Sequence, residues 1–358
     1  MNIPVITALT AWVPQAIPLP RSTTSEPALR RANAQPGWDV WTRSWHPDYG
    51  YWREAGPQTW PDKRTDTSRP VHSGPPPADI AWAVPVATGM DLSGFATKVA
   101  ISICTARAHN TRPVDVVMFC HSTPDEHVPA TIAGRLRAEI GAPCFPFSLS
   151  QQHGVSPFTA LRLAHDLLVA EPDVHTILIV AAEKWCPPFS RICEPGIMHG
   201  DAAAALLVER ADHSKAGLLL LDVAARHVPG DIRLPTAGAP DAWALTLKSM
   251  IGLSLMRHGL QHNDIHDVVG PPGVPSLTDA VYALLRRPHA SVCHQACAHL
   301  GAAEAIARLA HTLSCCSPPR EHRVLLWGYG IGGFVGTALL EAHGAPAIYQ
   351  PYDVRPVS

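Results

Sequence analysis

Residues 144–170 read CFPFSLSQQHGVSPFTALRLAHDLLVA. An apolar run, Phe145 to Leu149, leads into a polar turn, Ser150-Gln151-Gln152-His153-Gly154. A helical pattern begins at Ser156-Pro157, and Phe158, Leu161, Leu163, Ala164, Leu167 and Leu168 make it broadly apolar, as for a helix central to a fold. Strand, sharp turn and helix in that order is a common way to present a nucleophile. The turn exposes one side chain, and the helix N-terminus lowers the cost of negative charge there. Ser at an N-cap followed by Pro at the first helical position is an ordinary helix start, so Ser156 reads as structural ahead of nucleophilic. His153 stays open between a solvent-facing or hydrogen-bonded turn histidine and a chemical one.

Outward from this stretch, strands and helices alternate. Leu92, Phe95, Val99, Ile103 and Ala106 mark a helix face, Val114 to Cys120 a buried strand, and Ala130 to Ile140 a helix ended by Gly141. Thr176 to Ala182, Ala202 to Val208 and Leu218 to Ala224 read as strands. A second series follows: helix over 242–258, strand over 267–270, helix over 276–285, strand over 290–293, helix over 301–313, and strands over 324–327 and 334–340 around a glycine turn. Alternation of this kind implies an α/β sheet covered by helices. Two similar series imply two related halves, divided as 86–225 and 226–358. Residues 1–85 hold a first strand near Ile3 to Val13, then Trp38, Trp41, Trp45, Trp52, Trp60 and Trp82 among Pro, Gly and charged residues. The bland reading of this segment is a covering layer packed on the main body. The sharper one is a lid or partner surface, since aromatics serve both.

At 358 residues with 46% hydrophobic and 16% charged side chains, the chain has the composition for an extensive core. A net charge of −2 supplies no field for nucleic acid or an anionic membrane. The nine cysteines include no CxxC spacing and read as mostly buried, reduced thiols, with no metal set legible in their spacing. Neither a signal peptide nor a membrane span is legible near the N-terminus, and with free thiols that points to a cytoplasmic protein.

Several segments together resemble the β-ketoacyl-acyl-carrier-protein synthase III branch of the thiolase superfamily. Val114 to Pro129 (VDVVMFCHSTPDEHVP) is similar to its strand and Thr-Pro-Asp turn. Gly200-Asp201 with Ala202 to Val208 resembles its Gly-Asp strand start, and Trp327 to Gly333 (WGYGIGG) its C-terminal glycine loop. Leu161 to Leu168 (LRLAHDLL) resembles the helix behind its catalytic cysteine. The likeness runs over about residues 90–342. It implies a thiolase-like, five-layered fold of two similar halves, usually dimeric, acting on acyl thioesters of coenzyme A or carrier protein.

The resemblance also implies a cysteine that takes the acyl group, a histidine and an asparagine that stabilise the enolate oxygen, and backbone N–H groups that hold the oxyanion. Gapless matching puts Gly154 at the cysteine position, flanked by His153 and Ser156. It puts Pro272 at the histidine position and the segment around His299 at the asparagine position. His299 is either a thioester hydrogen-bond donor or a satisfied core histidine. His294, in His294-Gln295-Ala296, is an alternative for the family histidine. Gly330, Gly332 and Gly333, with His294, are the implied substrate-binding positions. The resulting expectation is a protein without the usual Cys and His: a non-condensing subunit or acyl-thioester-binding partner in fatty-acyl, polyketide or other specialised-metabolite biosynthesis. It would work as a homodimer, or as a heterodimer with an active synthase, and take acyl-CoA or acyl carrier protein, with no other cofactor, nucleic acid or membrane. The alternative is an active acyltransferase with a His base and no acyl-cysteine.

Overall fold

The computed structural model describes residues 3–19, 82–87, 89–107, 112–124, 131–185, 191–194, 197–210, 216–228, 242–287 and 298–351. In chain order the elements are β1 (Val5–Trp12), β2 (Ala16–Leu19), β3 (Trp82–Pro85), α1 (Leu92–Ala106), β4 (Val116–Cys120), α2 (Ile132–Ile140) and β5 (Phe145–Leu149). A single 3-10 turn, His153–Val155, then leads into α3 (Ser156–Ala170). There follow β6 (Thr176–Glu183), β7 (Ile192–Glu194), β8 (Ile197–Met198), β9 (Ala202–Glu209), β10 (Leu218–His227), α4 (Ala242–Arg257), β11 (Asp267–Val269) and α5 (Pro275–Leu284). Another 3-10 turn, Gly301–Ala303, opens into α6 (Glu304–Cys315), before β12 (Arg323–Gly330), β13 (Phe334–Ala342) and β14 (Ala347–Tyr349).

The strand order β11-β12-β13-β10-β1-β9-β6-β4-β5 contains the same pattern twice. From β1, the order β1-β9-β6-β4 runs antiparallel, antiparallel, parallel; from β10, the order β10-β13-β12-β11 runs the same way. β10 therefore opens the second series instead of closing the first. It pairs along its length with β13, from Leu218↔Ala342 to His227↔Phe334, and meets β1 only at Leu218 and Leu219. The division expected at 225–226 falls inside this strand.

Side-chain alternation along the strands separates three cores. Ile177 and Ile179 of β6 face Phe158 and Leu161 of α3 and Ile306 and Leu309 of α6, in one cluster that also takes Leu326 of β12 and Leu340 of β13. Leu178 and Val180 face the other way, onto Phe95 and Val99 of α1 and Leu136 of α2. Leu325 and Leu339 pack on Leu247 and Ile251 of α4 and Leu277 of α5. The layers are thus α1–α2, strands, α3–α6, strands, α4–α5. This places α3 and α6 between two layers of strands, which is why α3 reads as broadly apolar.

One local reading is borne out and placed, and one changes. Phe145 to Leu149 is an edge strand, with Phe145 68% exposed, and it pairs in parallel with β4 alone. Pro146 suits that place, because a proline cannot donate to a second neighbour. Ser156 is not the N-cap of α3. It is the first residue of α3, Val155 is the N-cap without a side-chain bond, and the Ser156 hydroxyl donates back to the His153 carbonyl at 2.9 Å. The expected strand over 290–293 and the tryptophans of 38–60 lie outside the described residues.

Candidate functional site

Three separate turns converge behind α3. The first is the turn after β5. Gln151 and His153 both take left-handed backbone there, with φ of 68° and 49°. Such angles are uncommon outside glycine and persist where the surroundings over-determine them. Bending the chain this way turns the His153 ring inward, where it is 4% exposed. Gly154, the residue matched to the family's cysteine, has no room for a side chain. A Cβ there would sit 2.5 Å from the Tyr329 carbonyl oxygen and 3.1 Å from Cε1 of His299. The inward-facing side chain of this turn is therefore His153, and Gly154 serves the close approach to β12.

The second turn carries His199, a residue that no sequence motif singled out. It follows β8 and precedes Gly200-Asp201. Asp201 is fully buried and shows what that pair does locally. Its carboxylate takes a two-pronged contact from Arg191 (2.8 and 2.9 Å) and accepts the backbone N–H groups of Ala87 and Trp185 (both 2.9 Å). Arg191 also donates to the carbonyls of His199 and Trp185. This network fixes Trp185 so that its ring stacks on His199 at 3.9 Å and 13°.

The third turn carries His299. Its backbone is locked to the second, with His299 N–H donating to Met198 O (2.7 Å) and Gly200 N–H donating to His299 O (2.9 Å). Gly301 follows in left-handed backbone, φ 56°, where a Cβ would strike Cγ of Glu183 at 2.4 Å. The Gly301 N–H donates to Nδ1 of His299 at 2.8 Å, which places the ring's proton on Nε2. Glu304, in the first turn of α6, has Oε2 at 3.6 Å from the same Nδ1. Glu183 ties these loops together by accepting from Thr123 N–H and hydroxyl (2.9 Å each) and from Ala302 N–H (3.2 Å). Burial pushes the Glu183 carboxyl up, and those hydrogen bonds work against the shift.

The three rings make one cluster. His153 lies 4.7 Å from His299 and 4.9 Å from His199, ring centre to ring centre. Burial, first, and the neighbouring imidazoles hold all three well below the usual histidine pKa, so they are neutral. For His199, the Arg191 guanidinium adds to this and the His299 backbone opposes it. Both ring nitrogens of His153, both of His199, and Nε2 of His299 lack a protein partner in hydrogen-bonding geometry. One potential metal-ligand atom from each residue lies within 4.8 Å of the others.

The remaining expected positions sort differently. Pro272 carries no side-chain hydrogen-bonding group; its carbonyl accepts from the Tyr329 hydroxyl at 3.4 Å, and the Tyr329 ring meets His299 edge-on at 4.9 Å. Gly330 closes on the first turn, where a Cβ would meet the Gln152 carbonyl at 2.1 Å. Gly332 and Gly333 form the β12–β13 turn with φ of 107° and 91°, and Gly333 O accepts from Val228 N–H. His294 lies outside the described residues. The crevice beside the cluster, lined by Gly154, Pro271, His299, Glu304 and Tyr329 among others, is too tight to hold a water molecule. Among the described cysteines, burial pushes the Cys120 thiol up strongly, against a contact with Ser156, and pushes Cys104 to about 11. Cys144 is raised by burial as well. A raised thiol is a poor source of thiolate.

No protein-family model matches the chain, and no curated protein matches it. Solved structures do. The acyltransferase ChlB3 is 19% identical with a TM-score of 0.65, over 96% of this chain and 99% of that one. The 3-oxoacyl-(acyl carrier protein) synthase III FabH from Pseudomonas aeruginosa PAO1 is 18% identical at 0.64, over 96% and 99%. AbyA1, a tetronic acid condensing enzyme, is 15% identical at 0.62, over 95% and 100%. The doubled strand order, the buried pair α3–α6 and these full-length superpositions agree that this chain has the thiolase-like α/β fold of the synthase III-type condensing enzymes.

Proposed function

We propose that this chain is a thiolase-fold protein that handles acyl thioesters of coenzyme A or carrier protein without forming an acyl-cysteine. It would serve as a non-condensing subunit or acyl-thioester-binding partner, alone as a homodimer or beside an active synthase, in fatty-acyl or specialised-metabolite biosynthesis. One observation carries this reading. The side chain that the strand–turn–helix directs inward is an imidazole, His153, packed against two more imidazoles. The family's reaction needs a thiolate there, and a neutral buried imidazole cannot supply a thioester-exchanging sulfur. The fold's likeness to acyl-transferring and condensing enzymes supports the substrate class.

The test is an assay of the purified chain with acyl-CoA and a malonyl thioester, alone and with a co-purifying synthase. The reading predicts acyl-thioester binding, no condensation by the chain alone, and a change in the synthase's rate or product when the chain is added. Condensation by the chain alone contradicts it.

A second reading is favoured by the neutral, unpartnered His153 ring, which has a lone pair to accept a proton. In it, His153 acts as general base for direct attack by an alcohol, amine or thiol on a bound thioester, with Nε2–H of His299 on the carbonyl oxygen. Transfer without an enzyme-bound acyl group, abolished in His153→Asn and His299→Gln variants, would distinguish it. Unchanged turnover in both variants excludes it.

A further inference from the structure

We propose that His153, His199 and His299 form a binding site for one divalent late first-row transition ion, of which Zn²⁺ is the physiological representative. The proposal stands on geometry and is independent of the first functional reading; it excludes the second, because the ion would take the His153 lone pair and displace the Nε2 proton of His299. Three imidazoles from three segments far apart in sequence meet in the interior, at 4%, 0% and 2% exposure. Five of their six ring nitrogens have no protein hydrogen-bond partner. Buried polar atoms are nearly always partnered, and five in one cluster call for a partner that the described residues do not supply. A metal ion answers one nitrogen from each ring at once. All-imidazole donor sets suit Zn²⁺, Co²⁺, Ni²⁺ and Cu²⁺, and neutral rings are the form that ligates.

The backbone prepares two of the ligands. His199 and His299 stand on segments joined by a parallel β-bridge, so the two residues are neighbours across the bridge. Trp185 stacked on His199 limits that ring's rotation. The third ligand comes from His153, whose left-handed backbone aims it at the other two. The ligand atoms now lie within 4.8 Å of one another. An ion about 2.1 Å from each nitrogen needs tetrahedral donors about 3.4 Å apart, so the rings close by about 1.4 Å on binding. Small rotations of the three rings supply this. Ligation through Nε2 of His299 requires that ring's proton on Nδ1, so the Gly301 N–H must give up its bond there and the ring must turn its new N–H toward Glu304 Oε2, 3.6 Å away. A carboxylate behind a ligating histidine is the usual supporting arrangement. Three protein donors leave the tetrahedral set one short, to be completed by a water that enters with the ion.

The test uses the full-length, untagged protein, stripped with a chelator and titrated with Co²⁺, then with Zn²⁺ in competition. One equivalent of Co²⁺ per chain should give the visible absorption of a tetrahedral, nitrogen-ligated ion, and Zn²⁺ should displace it. His199→Phe keeps the stack on Trp185, and His153→Asn keeps a residue that tolerates left-handed backbone. Each should weaken binding by at least about 100-fold, more than the roughly 10–100-fold that a supporting residue costs. Circular dichroism shows whether each variant is folded. X-ray absorption on the wild-type complex should show three imidazoles and needs no variant. Absence of stoichiometric Co²⁺ or Zn²⁺ binding by folded wild-type protein overturns the proposal. So does binding that both folded variants retain, which would place the ion elsewhere, for example at the stacked pair His266 and His322.

Discussion

The two buried helices begin in parallel ways. His153 starts the 3-10 turn that opens into α3, and His299 stands just before the 3-10 turn that opens into α6. The two turns differ in what holds the imidazole. His299 is held through its side chain, by the Gly301 N–H on Nδ1. His153 is held through its backbone: its carbonyl accepts the Ser156 hydroxyl, and its ring meets no hydrogen-bonding group of the protein. The turn before α6 is thus a scaffold that sets the tautomer of the metal-free ring. The turn before α3 holds left-handed backbone at Gln151 and His153 while presenting an unengaged ring.

Substitutions separate the two turns. Gly301→Ala combines a left-handed φ of 56° with a collision against Glu183, and should cost about 2–5 kcal/mol by chemical denaturation. A smaller loss would mean that the turn before α6 is less tightly fixed than the one before α3. Acid comes next, read on chelator-treated protein. Each histidine of the cluster has a folded pKa below its unfolded value of about 6.5. Above that pH neither state is protonated, and there is no penalty. Below it the unfolded chain takes up protons that the folded core refuses, so stability falls by about 1.4 kcal/mol per histidine per pH unit until the folded pKa is reached. Glu183 acts in the opposite sense, since its raised carboxyl carries a burial penalty that is relieved as pH falls through its folded pKa. Urea unfolding at about pH 7.5 and about pH 5.5 should show the net loss, and His199→Phe should reduce it by roughly a third. A pH-independent midpoint would mean that the cluster is not held neutral.

Gly154→Cys places a thiol at the position matched to the family's cysteine. Its Cβ would meet the Tyr329 carbonyl at 2.5 Å, so the variant should lose about 1–3 kcal/mol and still form no acyl adduct. Ser156→Ala removes the hydroxyl that bonds the His153 carbonyl and should cost only about 1 kcal/mol. A loss of acyl-thioester binding or transfer much larger than that stability change would give Ser156 a role beyond the helix start.

The fold was legible because the layers are written as periodicity. Apolar runs on β6 and β9, and a broadly apolar α3 between them and the second series, point to strands and helices stacked in layers. The glycine loop and Gly200-Asp201 then narrow the choice of fold. The candidate site was only half legible. His153 and His299 stood in recognisable turns. His199 did not, because the resemblance rests on the Gly-Asp pair beside it, and that pair proves to be a structural anchor for Arg191 and Trp185. A signal was present: His153 and His199 each directly precede a glycine, and His299 is two residues before one, all at turns of the resembling segments. The shift from Gly154 to His153 was out of reach of gapless matching. Which of two adjacent residues points inward depends on φ at 151 and 153, and left-handed angles at a glutamine and a histidine leave no mark in composition. Ser156 misled for a related reason, since Ser-Pro fits both a capped start and a helix preceded by a 3-10 turn.

Intact-protein mass measurement after incubation with acyl-CoA tests the central claim most directly, using the wild-type chain beside His153→Cys and Gly154→Cys. The expected result is no adduct on wild type, none on Gly154→Cys, and an acyl mass shift on His153→Cys, where a thiol replaces the side chain that faces the cluster. An acyl adduct on the wild-type chain, or on Gly154→Cys but not His153→Cys, would contradict it.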